Sequence, residues 1–168
     1  MKNFILGFLT MTALLIFGSW GYLTLGWAEV RDDVNAPAWE NRFMNLAVHA
    51  SVQRRVGKVQ NPLPPTDETL VAGGKLYLDG CTGCHGEPGK TRPLTKAYYV
   101  PAPRFELTGT SYPEAELFWI VKHGIRRTEM SAYGPFYTDQ QIWSLASFVK
   151  RMNSLSPSVL KSIQPGNP

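Results

Sequence analysis

Residues 81–85 of the chain read Cys81-Thr82-Gly83-Cys84-His85. Two thiols spaced by two residues, with a histidine directly after the second, form the covalent attachment pattern of a c-type haem. Each cysteine can form a thioether to a vinyl group at one edge of the porphyrin. His85 then stands beneath the iron as the proximal ligand. The chemistry implied is haem chemistry, with one-electron transfer as its simplest form. Other uses of the pair fit less well. A thioredoxin-like dithiol follows a strand in a βαβ pattern, and no such pattern surrounds these residues. A disulfide across two residues would close a very short, strained loop. A zinc site needs a second Cys or His pair at ligand spacing. The chain has no other cysteine, and its remaining histidines, His49 and His123, stand far apart.

Such a motif needs elements to position it. Thr66 and Asp67 follow Pro64-Pro65 and offer an N-cap, Glu68 favours a first turn, and apolar residues recur at 70, 71, 76 and 78. The pattern predicts a short helix leading into the motif. Gly73 and Gly74 inside it cost roughly 1 kcal/mol each against alanine, a cost that a close helix–helix crossing would explain. Near the C-terminus, Thr138-Asp139-Gln140-Gln141 is a capping box. Ile142, Trp143, Leu145, Ala146, Phe148, Val149 and Met152 follow as a wide apolar face, with Lys150 and Arg151 complementing the helix dipole. A third helix is predicted from Ser111 to His123. Ser111 and Glu114 form its capping box, Leu117, Phe118, Ile120 and Val121 its buried face, and Gly124 its stop. Nothing alternates with period two, so the expected fold is all-α.

The order of these features is helix, CxxCH, long Gly/Pro loop, helix, methionine loop, C-terminal helix. It resembles the monohaem class I cytochromes c over about Asp67 to Asn153. The resemblance implies a cytochrome c-like helical domain around one covalently bound haem c. It also implies that Gly73 and Tyr77 lie where the family packs its first helix on its last. Met130, in the loop Gly124-Ile125-Arg126-Arg127-Thr128-Glu129-Met130-Ser131-Ala132-Tyr133-Gly134-Pro135, falls where the family supplies the second axial ligand through its thioether sulfur. The family more often has Gly before this Met and Pro after it; Glu129 and Ser131 stand there instead. The expected site is therefore Cys81, Cys84, His85 and Met130, with His85 and Met130 on the iron, a pairing that suits an electron carrier. His123 and His49 are the rival ligands. Arg92, Arg104, Arg126 and Arg127 are candidate partners for the haem propionates, through charge-assisted hydrogen bonds. The stretch Pro88 to Pro103 is expected to wrap one haem edge as a loop. In such domains a backbone carbonyl accepts the proximal histidine's free ring N–H; the sequence does not say which.

The N-terminus bears on location. Phe4 to Ala28 carries no charged residue, long enough for a helix to cross a bilayer core of ~30 Å. A cleaved signal is the rival, with Lys2 before the apolar run and Gly26-Trp27-Ala28 after it, but signal cores are only ~7–15 residues. Trp20, Tyr22 and Trp27 suit an interfacial belt. Lys2 on the inside and Glu29, Asp32 and Asp33 outside predict export of the C-terminal part. By family resemblance, haem is attached on that side in bacteria. After the anchor (1–28) comes a segment (29–66) holding an amphipathic helix over about 37–56. This helix is expected to stand apart from the haem domain and lie on the membrane surface or dock a partner subunit, with packing on its own haem domain as the alternative. Pro37 stands at its start and Trp39, Phe43, Leu46, Ala47 and Ala50 at helical spacing. A Pro-rich linker, Lys58 to Pro65, leads to the haem domain (67–153). The tail (154–168) carries three prolines and is expected to have little regular structure.

The expected function is one-electron transfer by a single-pass cytochrome of the bacterial inner membrane, haem domain on the periplasmic side. It would serve as carrier or as haem subunit of a respiratory complex, and not as an enzyme. Redox proteins are its expected partners. The formal charge of +4 is spread along the chain and no nucleic-acid motif is present. The competing classes are a catalytic or gas-sensing haem protein, which needs an open iron site, and a dithiol oxidoreductase.

Overall fold

The computed structural model describes residues 1–31, 33–88 and 101–164. Every regular element among them is helical. Met1–Val34 and Asn35–Pro168 form two separate compact units. The first holds α1, Lys2–Thr24, a helix with no charged residue after Lys2 and no buried residue. At 1.5 Å per residue it is about 34 Å long, sufficient to cross a ~30 Å hydrocarbon core.

The second unit is built on α3 (Asp67–Gly80), α6 (Glu114–His123) and α7 (Asp139–Arg151), with α2 (Ala38–Val56), the short turns α4 (Thr82–His85) and α5 (Phe105–Thr108), and α8 (Pro157–Ile163) around them. Thr66 caps α3, its side chain accepting from the Thr69 N–H. The capping box of α7 forms as expected, with Thr138 and Gln141 bonding each other's backbone N–H. The wide apolar face of α7 becomes the core: Ile142, Trp143, Leu145, Ala146, Phe148 and Val149 are all buried. Phe118 of α6 stacks on Trp143 at 4.0 Å.

The two adjacent glycines of α3 are explained by the crossing with α7. A Cβ at Gly73 would fall onto the Ser144 carbonyl and lie 2.9 Å from the Leu145 nitrogen. A Cβ at Gly74 would meet Ile163 Cγ2 at 2.7 Å and the Phe148 ring at 2.8 Å. Tyr77, one turn on, packs against Phe148 with ring centroids 5.5 Å apart. The family resemblance points to the same two positions, Gly73 and Tyr77.

Three expectations are corrected. The tail is not irregular, because α8 forms there. Ser156 accepts from the Val159 N–H, Pro157 occupies the first turn, and Val159 and Ile163 are buried one helical turn apart. The prolines that read as breakers include one that starts a helix. Helix α6 starts at Glu114 behind Pro113, with no side-chain cap, so the Ser111–Glu114 box does not form. Glu114 is used instead to receive Arg151 of α7, the Ser147 hydroxyl at 3.2 Å and the Asn61 amide at 2.6 Å. Burial pushes its carboxyl up, and these hydrogen bonds more than offset that, leaving it below the ordinary value. Finally, α2 and the Pro-rich stretch are not set apart from the haem-motif helices. Val52 is buried, His49 stacks on Tyr112 at 4.4 Å, and Asn61 is held to α6 and α7.

Candidate haem site

Helix α3 delivers the motif. Its last turn ends at Gly80, Cys81 is its C-cap, and the chain turns at once into α4, so Cys81, Cys84 and His85 lie on successive turns of nearly continuous helix. The Tyr77 hydroxyl reaches across this turn and donates to the Gly86 carbonyl at 2.8 Å. Tyr133 does the same from the methionine loop, donating to the Gly80 carbonyl at 3.2 Å. The motif is thus pinned at both ends by phenols. Gly86 has a φ of +85°, the left-handed region, and a Cβ there would meet Glu106 Oε1 at 2.6 Å.

His85 is positioned from below. Its Nδ1 lies 2.9 Å from the Pro103 carbonyl oxygen. A carbonyl only accepts, so Nδ1 carries the proton and Nε2 presents its lone pair. Phe105 stacks on the imidazole at 4.9 Å and 15°. Burial lowers the His85 pKa, opposed in part by the bond to Pro103 and by the charge of Glu106, so the ring is kept neutral as a metal ligand requires. Beside it Arg104 and Glu106 form an ion pair in which the Glu106 side chain is almost wholly buried. Glu106 Oε2 has no hydrogen-bond partner among the described residues.

Met130 is partly buried and packs against the same hydrophobic cluster as Cys81, Phe105 and Tyr133. Its loop lacks the glycine and proline of the family pattern but is closed by hydrogen bonds. The Ile125 N–H donates to the Met130 carbonyl at 2.9 Å, the Met130 N–H to Thr128 Oγ1 at 3.1 Å, and Thr128 Oγ1 to the Ile125 carbonyl at 2.8 Å. The Tyr133 and Gly134 N–H groups continue onto the carbonyls of Val121 and Lys122.

The rival ligands sit elsewhere. His123 is exposed against Trp119, and His49 is stacked on Tyr112. Of the propionate candidates, Arg104 is engaged by Glu106, Arg126 and Arg127 are exposed, and Arg92 lies outside the described residues, as does most of the expected loop Pro88 to Pro103. No group of three or more His, Cys, Asp or Glu side chains gathers among the described residues to hold a bare metal ion. Burial, and then the neighbouring Cys84, push the Cys81 thiol up to about 11. A dithiol catalyst needs the opposite shift.

The donor set is two thiols one turn apart, an imidazole with a fixed tautomer and a thioether bordering the same cluster. These residues fit a covalently attached haem. Residues 68–149 match the family model described as cytochrome c oxidase, cbb3-type, subunit III. They form a c-type cytochrome domain. This cytochrome domain carries covalently bound haem c with its iron, and its general role is haem-based electron transfer. Neither the curated proteins nor the solved structures compared with the chain gave a match.

Sequence reasoning missed Pro103, Phe105, Glu106 and the bond from Tyr77 to Gly86. Only Tyr77 had a local signal, standing one helical turn before Cys81. The others reach the motif from an element 18 or more residues away.

Proposed function

We propose that the chain is a membrane-anchored, one-electron haem protein of the bacterial periplasmic face, serving a respiratory complex as a haem-bearing subunit rather than as an enzyme. Residues 1–28 anchor it, residues 67–153 carry the haem, and Cys81, Cys84, His85 and Met130 hold it. One observation carries the reading: the match of residues 68–149 to an oxidase-subunit family, which takes in a CxxCH turn whose histidine is already held in the ligating tautomer. When bound, haem supplies an iron that gains and loses one electron.

The work of the chain is positional. Cys81 and Cys84 fix the group by thioethers. The Pro103 carbonyl orients His85 and raises its basicity as a ligand. Met130 would offer its thioether sulfur to the iron from a loop stiffened by the Thr128 and Ile125 hydrogen bonds. His85 and Met130 would both hold the iron, a ligand pair that suits an electron carrier better than a catalyst or gas sensor. The apolar helix α1, with Lys2 before it and Glu29, Asp32 and Asp33 after it, supports a periplasmic haem domain.

Solubilising native membranes in mild detergent tests the assignment. The haem band is expected to co-purify with partner proteins in fixed stoichiometry and to be reduced within that assembly. A haem protein that elutes alone, yet is reduced by membranes, would make it a mobile carrier. One that turns over a substrate would overturn the non-enzymatic reading.

Replacing Met130 by alanine should abolish the weak far-red sulfur-to-iron absorption of the ferric protein. It should also lower the potential by on the order of 0.1–0.3 V, within the ~0.8 V that axial ligands span. An unchanged band and potential would remove Met130 from the iron.

A further inference from the structure

Helix α2 has two apolar faces, and its own domain uses one. Val48, His49, Val52 and Val56 lie on the side that packs inward: Val52 is 1% exposed and His49 is stacked on Tyr112. At about 100° per residue, Trp39, Phe43, Leu46 and Ala50 form a second stripe on the other side of the helix. Trp39 is 71% exposed, Phe43 66% and Leu46 67%. Arg42 and Arg54, both exposed, flank this stripe at about 60° to either side.

We propose that this second face of α2 lies on the bilayer surface, in the headgroup region of anionic phospholipid, and so holds the haem domain against the membrane. Three observations select lipid as the occupant. Only residues 25–37 link α1 to α2, a covalent tether that can reach no further than roughly 50 Å at ~3.6 Å per residue. The stripe is narrow, apolar and headed by a tryptophan, and paired arginines flank it where their stems can cover acyl chains while their guanidinium groups meet phosphates. A second copy of the chain is disfavoured by area. Three large side chains offer on the order of 500 Å², at ~150–250 Å² for each aromatic, against ~800 Å² per partner in a stable interface. The proposal rests on α1 being a membrane anchor and adds a surface contact to it.

The test uses the full-length, haem-loaded protein in vesicles of phosphatidylethanolamine and phosphatidylglycerol. With Cys81 and Cys84 held in thioethers, L46C and, separately, R55C each supply a single reactive thiol for a nitroxide label. Arg55 is exposed, on the side of α2 away from the stripe. The label at 46 is expected to be several-fold more accessible to oxygen, which concentrates in lipid, than to a water-soluble nickel chelate. The label at 55 should show the reverse. If both labels are equally open to the chelate, the surface contact does not exist. If the label at 46 is shielded from both reagents, protein covers the stripe and the lipid assignment fails. Alkaline carbonate extraction of the same vesicles reports α1 independently. Release of the chain would overturn the anchor and this contact together, whereas retention with a water-exposed label at 46 overturns this contact alone.

Discussion

A chain carrying both C81A and C84A is expected to lose all denaturation-resistant haem. Wild-type protein, boiled and run on a denaturing gel, should keep its haem stain at the position of the polypeptide, and the double variant should show none. The effect should extend beyond the bond. Cys81 is the C-cap of α3 and borders the hydrophobic cluster, and Met130 and Phe105 pack on that cluster too. A domain of this size buries too little of its own surface to be robust, and a covalently held porphyrin supplies apolar contact that the polypeptide does not build. The variant should therefore also unfold at markedly lower denaturant, read by far-UV circular dichroism. Haem stain surviving in the double variant would refute covalent attachment through these residues.

The second large effect is expected at Gly73. A Gly73→Val chain must place its Cβ where the Ser144 carbonyl stands, next to the Leu145 nitrogen. Both are backbone atoms of α7, so no side chain can rotate away and the two helices must separate. That opens the contact of α3 on α7, including Tyr77 against Phe148. A cost of about 3 kcal/mol or more follows, at the upper end of overpacking effects, out of a total stability of ~5–15 kcal/mol. For a ~100-residue domain this is a fall in midpoint of roughly 12–24 °C. Gly74→Ala should cost less, because it meets the ends of the Ile163 and Phe148 side chains. Thermal unfolding of the two haem-loaded variants checks the order. A Gly73→Val protein as stable as wild type would mean that the crossing is looser than described.

The two predictions differ in how they could be reached. The cysteines are read from five consecutive residues, since a covalent attachment motif is local chemistry. The helices α3 and α7 are equally legible, because Thr66 and Thr138 cap them and their apolar residues recur at helical spacing. At Gly73 the sequence points to a close helix crossing but not to the size of the loss. Its size depends on the backbone of Ser144, 71 residues away in sequence.

The misread segments follow the same division. In α8, Ser156 and Pro157 were a usable start signal, but a seven-residue helix with two buried residues is stable only because α3 lies beneath it. Glu114 looked like half of a capping box, and the nearness of Arg151, Ser147 and Asn61 drew its side chain elsewhere. The stripe of α2 was visible by periodicity, yet periodicity cannot tell which of two apolar faces a domain will use.

The sequence by itself determined the cofactor chemistry, the all-helical class, the capped ends of α3 and α7, and the apolar N-terminal helix, because each depends on residues within a turn or two of one another. Only the tertiary structure decided that the Pro103 carbonyl holds His85, that two glycines admit α7 and α8, and that the Trp39 face of α2 stays outside. Those outcomes depend on which backbone atoms meet across the core, and that is a property of the packed chain as a whole.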